Sequence, residues 1–175
     1  MIVCFDTNAF IWGIRGIFNP SDAPRAQQAK RLVKRLRKAG IEIMIPACVM
    51  SESLSILDDI EARDLLAKYG TKLQIGEMDM AVIHHLGRLL NHHYRVNPEG
   101  WKGIGYTKRH LKYDVLIAAT AIGHGAAAIY SHDNGMKVSA GPFIPVLGLD
   151  DMPAGFDQSE PEASSPVPDD EGLPL

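Results

Sequence analysis

The chain has 175 residues, 46% hydrophobic and 22% charged, which is enough for one domain with a sizeable core; its longest apolar run near a helix, residues 115–122, is far too short to span a bilayer. All 18 basic residues and 13 of the 21 acids lie before Asp150, so residues 1–149 carry +5 and the remainder −8. A mildly basic domain with a solubilising tail accounts for this, and so does a domain that prefers polyanions with an acidic appendage competing for the same surface.

Residues 1–5 form an apolar, partly β-branched run that stops at Asp6, the pattern of a buried strand with a carboxylate at its carboxyl end. Helix-like sequence follows, so the intervening turn faces the sheet edge where open α/β folds hold their ligands. Residues 9–12 start a short apolar helix that ends near Gly13 and Gly16. Ser21 or Asp22 is expected to cap the next helix, which has Pro24 in its first turn and Gly40 at its end. Ala26, Ala29, Leu32, Val33 and Leu36 make its apolar face. Lys30, Arg31, Lys34, Arg35, Arg37 and Lys38 make the other, as solvated cations do.

Residues 41–45 read as a second strand closed by Pro46, followed by helices over 47–60 and 62–69 and a short third strand over 72–75. Asp79 opens a helix reaching about residue 93. Residues 97–105 are loop-like, with Gly and Pro punctuation. Residues 114–124 are a strongly apolar helix, 126–131 a strand, 132–135 a turn and 143–149 a last strand. Strands alternating with helices predict an α/β fold: a mainly parallel sheet with helices on both faces. From residue 153 the chain turns Pro-, Ser- and acid-rich, which predicts a domain over 1–152 and a disordered tail over 153–175.

Cys4 and Cys48 have no metal-ligand spacing and read as buried free thiols. With no basic leader and Asp6 interrupting the first apolar stretch, a reducing, cytoplasmic compartment and no membrane association are expected. His84-His85 and His92-His93 share one helix without the three- or four-residue spacing of a helical metal site, so exposed or half-buried histidines are expected.

Four acids stand out. Asp6 and Asp133 follow two strands. Glu52 lies at the margin of an apolar helix face, and Asp114 stands at the start of the most apolar helix. Each alone has an ordinary explanation: a snorkelling Glu, a helix cap, a turn residue. Jointly they are different, because in a parallel sheet strand ends and helix starts share one rim. Four carboxylates in one pocket repel one another, and hard divalent cations such as Mg²⁺ or Mn²⁺ relieve that repulsion. Carboxylate-held metal suggests phosphoryl chemistry, and no Gly-rich nucleotide loop is present, which favours a phosphodiester backbone as substrate. Residues 101–112 mix cations with aromatic rings beside the acids. Lys102, Lys108, Arg109 and Lys112 are the candidate contacts to a single-stranded nucleic acid, with a solvated loop as the alternative.

Asp6-Thr7-Asn8 after the first strand, Ser51-Glu52 in a helix, Asp114 in YDVLIAATAIGHGA, and Ser131-His132-Asp133 after Ile129-Tyr130 resemble the PIN-domain ribonucleases, the VapC toxins of toxin–antitoxin pairs above all. The resemblance covers about residues 1–150. It implies a three-layer fold with sheet order 3-2-1-4-5 and Mg²⁺- or Mn²⁺-dependent endoribonuclease activity. It also implies frequent homodimers and a small antitoxin that blocks the site. By position it makes Asp6, Glu52, Asp114 and Asp133 the catalytic and metal-binding set, with Asn8 and Ser131 as supporting polar residues. A toxin, a housekeeping RNA-processing nuclease and a non-catalytic binding scaffold are all compatible with it. A haloacid-dehalogenase-like phosphatase also begins with an Asp after its first strand, but it wants a second Asp two residues on, where this chain has Asn8.

Overall fold

The computed structural model describes residues 1–16, 19–69, 73–102 and 105–155. Five strands form one parallel sheet: β1 (Ile2–Phe5), β2 (Glu42–Pro46), β3 (Gln74–Gly76), β4 (Ile129–Tyr130) and β5 (Val146–Leu147). Their order is β3-β2-β1-β4-β5, as the resemblance implied. β1 is the middle strand, with Cys4 opposite Met44 on one side and Ile129 on the other. Helices cover both faces, so Val3, Cys4 and Phe5 are fully buried, and each large apolar side chain so placed is worth roughly 1.5–3 kcal/mol. Phe5 meets Tyr130 edge to face across the β1–β4 ladder.

β5 is shorter than its apolar sequence suggests. Pro145 lacks an N–H, and the Gly148 N–H turns away to the Asp151 carboxylate at 2.8 Å, so the ladder closes between them.

The helices are α1 (Thr7–Phe10), α2 (Ala23–Lys38), α3 (Ala47–Leu54), α4 (Asp59–Tyr69), α5 (Met80–Asn91), α6 (Lys108–Gly123) and α7 (Asn134–Ala140). π-helical turns, Ile11–Arg15 and His92–Val96, extend α1 and α5. α2 buries the five apolar residues that its spacing selects and ends before Gly40, whose φ of +67° suits the left-handed region. Asp22 does not cap it: a 3₁₀ turn over Pro20–Asp22 leads in, and the Asp22 carboxylate pairs with Arg25 at 3.3 Å. α3 stops at Leu54 because Asp58 begins a new helix, accepting the Ile60 and Glu61 N–H groups at 2.9 Å each.

α6 begins at Lys108, well before residue 114. Thr107 is its cap, with Oγ1 accepting the His110 N–H at 3.3 Å. Asp114 therefore sits two turns inside the helix and caps nothing. α7 replaces the turn expected at 132–135, capped by Asp133, whose Oδ1 accepts the Gly135 N–H at 2.7 Å. His93, expected exposed or half-buried, is 1% exposed, and its Nε2 bonds the Ser139 carbonyl at 2.8 Å.

Cys4 and Cys48 are free, buried and half-buried respectively. Among the described residues no helix is long and apolar enough to cross a membrane. Chain packing continues through Met152, and the Tyr130 hydroxyl donates to the Asp151 carbonyl at 3.1 Å. The predicted acidic tail, from residue 156 on, and the predicted strand start at Lys72 lie outside the described residues.

Candidate active site

The carboxyl ends of β1 and β4 meet α3 and α6 at one rim of the sheet. A cavity of about 700 Å³ opens there, and Asp6, Asn8, Glu52, Asp114 and Asp133 all line it. Asp6 is the deepest acid, 4% exposed at the end of β1, and its Oδ1 accepts the Ala9 N–H at 2.7 Å as the cap of α1. Burial pushes its carboxyl up to about 6. The Ser131 hydroxyl and the Ala9 amide oppose that rise, and the charges of Asp114 and Asp133 add to it. Asp114 is likewise pushed up to about 6, first by burial and then by Asp133, against hydrogen bonds from Tyr106 and Ser139 and the charge of His110. Asp6, Asp114 and Asp133 thus form a mutually repelling group.

Ser131 is fully buried beneath them. Its Oγ accepts the Asp133 N–H at 3.0 Å and its hydroxyl serves Asp6, so one side chain fixes two of the acids. Glu52 approaches from α3 and is exposed; the Thr7 hydroxyl donates to its Oε2 at 2.5 Å. Tyr106 completes the wall, donating to Asp114 Oδ2 at 2.5 Å and lying 3.3 Å from Asp133 Oδ2. Neutral hydroxyls and backbone amides hold these carboxylates, and none of the described ion pairs involves them.

A second cleft of about 440 Å³ adjoins the first. Lys108, Arg109 and Lys112, all exposed on the first turns of α6, line it with Tyr113 and Leu116. Arg109 and Tyr113 border both clefts, so a strip of cations and one ring leads to the acids. Lys102 borders neither and pairs with Glu99 at 2.7 Å.

Residues 3–141 match the sequence profile of the PIN domain. The chain belongs to the PIN-domain family. Solved structures agree on the fold. VapBC2 from Rickettsia felis, bound to a DNA fragment from its promoter, is similar with a TM-score of 0.58 and 18% identity over 85% of this chain and 98% of that one. VapBC-1 from nontypeable Haemophilus influenzae gives 0.58 and 12% over 86% and 100%. DNA-bound VapBC from Salmonella typhimurium gives 0.59 and 16% over 85% and 98%. No curated protein matches the chain.

Whether this PIN domain suits a divalent cation depends on donor type and on spacing. The donor type fits: oxygen ligands only, anionic, partly dehydrated and lacking cationic partners among the described ion pairs. The spacing does not close. Among the described residues, no three Asp, Glu, His or Cys side chains stand near enough to one point to hold an ion together. The Tyr106 hydroxyl, between Asp114 and Asp133, fills part of that gap.

All four predicted acids and Asn8 share the cavity, Ser131 lies directly below, and three of the four predicted basic contacts flank it. Two residues went unread in the sequence. Thr7 stands inside the DTN stretch, where a hydroxyl one residue past the acid points to a donor. Tyr106 stands eight residues before Asp114, where two helical turns put it near the acid only once Thr107 is known to be the cap.

Proposed function

We propose that this PIN domain is a Mg²⁺- or Mn²⁺-dependent endoribonuclease that hydrolyses single-stranded RNA, and that it serves as the toxin of a toxin–antitoxin pair. The observation that carries the proposal is the meeting of Asp6, Asp114 and Asp133 in one cavity, hydrogen-bonded by neutral donors and in none of the described ion pairs, which leaves shared charge for a cation to balance. Family membership supports nuclease chemistry. Asp6, Glu52, Asp114 and Asp133 are the residues that would hold the ion. A divalent cation there supplies Lewis-acid polarisation of the scissile phosphate and a water nucleophile at neutral pH.

The chain's own residues do the rest. Ser131 fixes Asp6 and Asp133 relative to each other, Thr7 aims Glu52, and Asn8 offers an amide to the cavity. Lys108, Arg109 and Lys112 neutralise the RNA backbone, and the ring of Tyr113, 38% exposed, gives an unpaired base a stacking surface. The VapBC likeness supports a small protein antitoxin as partner. Ile56, 69% exposed and lining the cavity, and Ile60, 70% exposed in the first turn of α4, suit such an apolar contact. A homodimer and a cytoplasmic location, which the free thiols favour, belong to the same proposal.

Purified protein is expected to cut single-stranded RNA with Mg²⁺ or Mn²⁺ and not in EDTA. Asp6→Asn should abolish cutting while leaving the circular dichroism spectrum intact, because an amide keeps the Ala9 hydrogen bond and loses the charge. Equal cutting by the variant would sink the proposal. The unclosed acid spacing favours one alternative, a non-catalytic nucleic-acid-binding scaffold. RNA binding without Mn²⁺ uptake would select it.

A further inference from the structure

Resting on the metal-dependent reading, we propose that the Tyr106 hydroxyl is a built-in competitor for the cation: its contacts with Asp114 and Asp133 must be given up for these carboxylates to take an ion.

The hydroxyl has a single proton and two carboxylate neighbours. The short bond to Asp114 Oδ2, 2.5 Å, uses that proton, and Asp133 Oδ2 at 3.3 Å gets at most a share of it. The two acids come from different elements, α6 and the turn before α7, and the Tyr106 oxygen is the atom that ties them. It offers the two carboxylates one dipole in place of a full positive charge. The failure of any three described acids, histidines or cysteines to converge has its counterpart in this intruding oxygen.

The chain is shaped to admit it. A Cβ on Gly135 would run into the Tyr106 hydroxyl and ring, so the seat exists only because residue 135 is glycine. Gly135 is also buried in the first turn of α7, directly after Asp133 and Asn134. On the other side, Tyr106 is held between Gly105, with φ of +71°, and Thr107, the cap of α6. Its ring rests edge-on against His110 at 5.5 Å. Tyr106 is therefore a half-buried side chain on a short lever, fixed by contacts that a competing ligand can replace.

Equilibrium dialysis of the full chain against Mn²⁺ tests this. Tyr106→Phe keeps the ring and removes the competing bonds, so it should bind Mn²⁺ about tenfold or more tightly than the parent, the equivalent of one charge-assisted hydrogen bond. Gly135→Ala, which evicts the ring, should shift affinity the same way. In the parent, Mg²⁺ should also produce a near-ultraviolet tyrosine difference spectrum that Tyr106→Phe lacks. Equal or weaker Mn²⁺ binding by a folded Tyr106→Phe, with the parent binding normally, overturns the competitor and leaves the metal-dependent reading standing. No Mn²⁺ uptake by the parent or either variant overturns both.

Discussion

Thr7 donates its hydroxyl to Glu52 at 2.5 Å, joining the first residue of α1 to α3 across 45 positions of sequence. The bond lies at the cavity rim, where Glu52 is otherwise an exposed side chain free to sample several rotamers. Thr7→Val keeps the shape and removes the donor. RNA cleavage should fall roughly tenfold, the usual effect of losing a ligand-orienting partner. The melting temperature should hardly move, since the bond is solvent-accessible. Rate and melting curve measured together separate orientation from folding; a large fall in stability would argue that Thr7 is structural.

The buried acids make the pocket costly to keep charged. Asp6 and Asp114 both stand near 6 in the folded protein, against an ordinary 3.8. Over that window the folded state binds protons that the unfolded chain has released. Their contribution to stability is complete below 3.8 and is lost as pH rises through about 6. In EDTA, these groups should make the melting temperature drop from about pH 4 to about pH 6 and level off above that. Asp114→Asn should flatten that slope and melt higher than the parent at neutral pH. Added Mg²⁺ should restore the parent by binding the ionised form. A parent that gains stability across the same window would contradict the assignment.

Arg109 and Lys102 were equal candidates in sequence and are not equal in the fold. Arg109 borders both clefts, whereas Lys102 is tied to Glu99 and borders neither. Arg109→Ala should weaken RNA binding several-fold and lower the salt slope by about one phosphate contact. Lys102→Ala should do much less. Filter binding across a salt series reads both, and a reversed ranking would move the RNA path away from α6.

Truncation after Gly155 removes six acids and spares the packed Met152. If these acids compete in cis for the basic surface, the truncated protein should bind RNA more tightly at low salt. The gain should shrink as added salt screens the interaction. Identical affinities would make residues 156–175 a passive extension.

The parallel α/β class was legible because strands and helices each carry a strong local signal, apolar β-branched runs alternating with helical periodicity; the sheet order came only with the PIN resemblance, and the four acids were linked by their joint placement at strand ends and helix starts. The local reason for Asp114 was misread. Its place before Val115-Leu116-Ile117 looks like a cap, but Thr107 opens the helix about two turns earlier, through a mostly polar stretch in which Leu111 is the one fully buried side chain. Asn134-Gly135 looks like a turn because both residues favour turns; Asp133 instead caps a helix there, and Gly135 is where a Cβ would run into Tyr106. Both misreadings sit at the pocket, where a tertiary contact between distant segments chose the residue over local preference. Tyr106 was hidden for two reasons: Asp114 comes within its reach only once Thr107 is the cap of α6, and Asp133 is brought to it only by the packing of α7 on α6.

The middle place of β1 sets an order of assembly. β1 leaves the ribosome first, yet its partner on one side comes some forty residues later and on the other more than a hundred. A nascent chain that has emerged only to α5 holds Asp6 and Glu52 and lacks the two acids that α6 and α7 bring. Such long-range closure is slow compared with local helix formation. On the proposed function, the four acids would come together only when translation had almost reached the last strand, and the messenger encoding them would be safe from its own product until then.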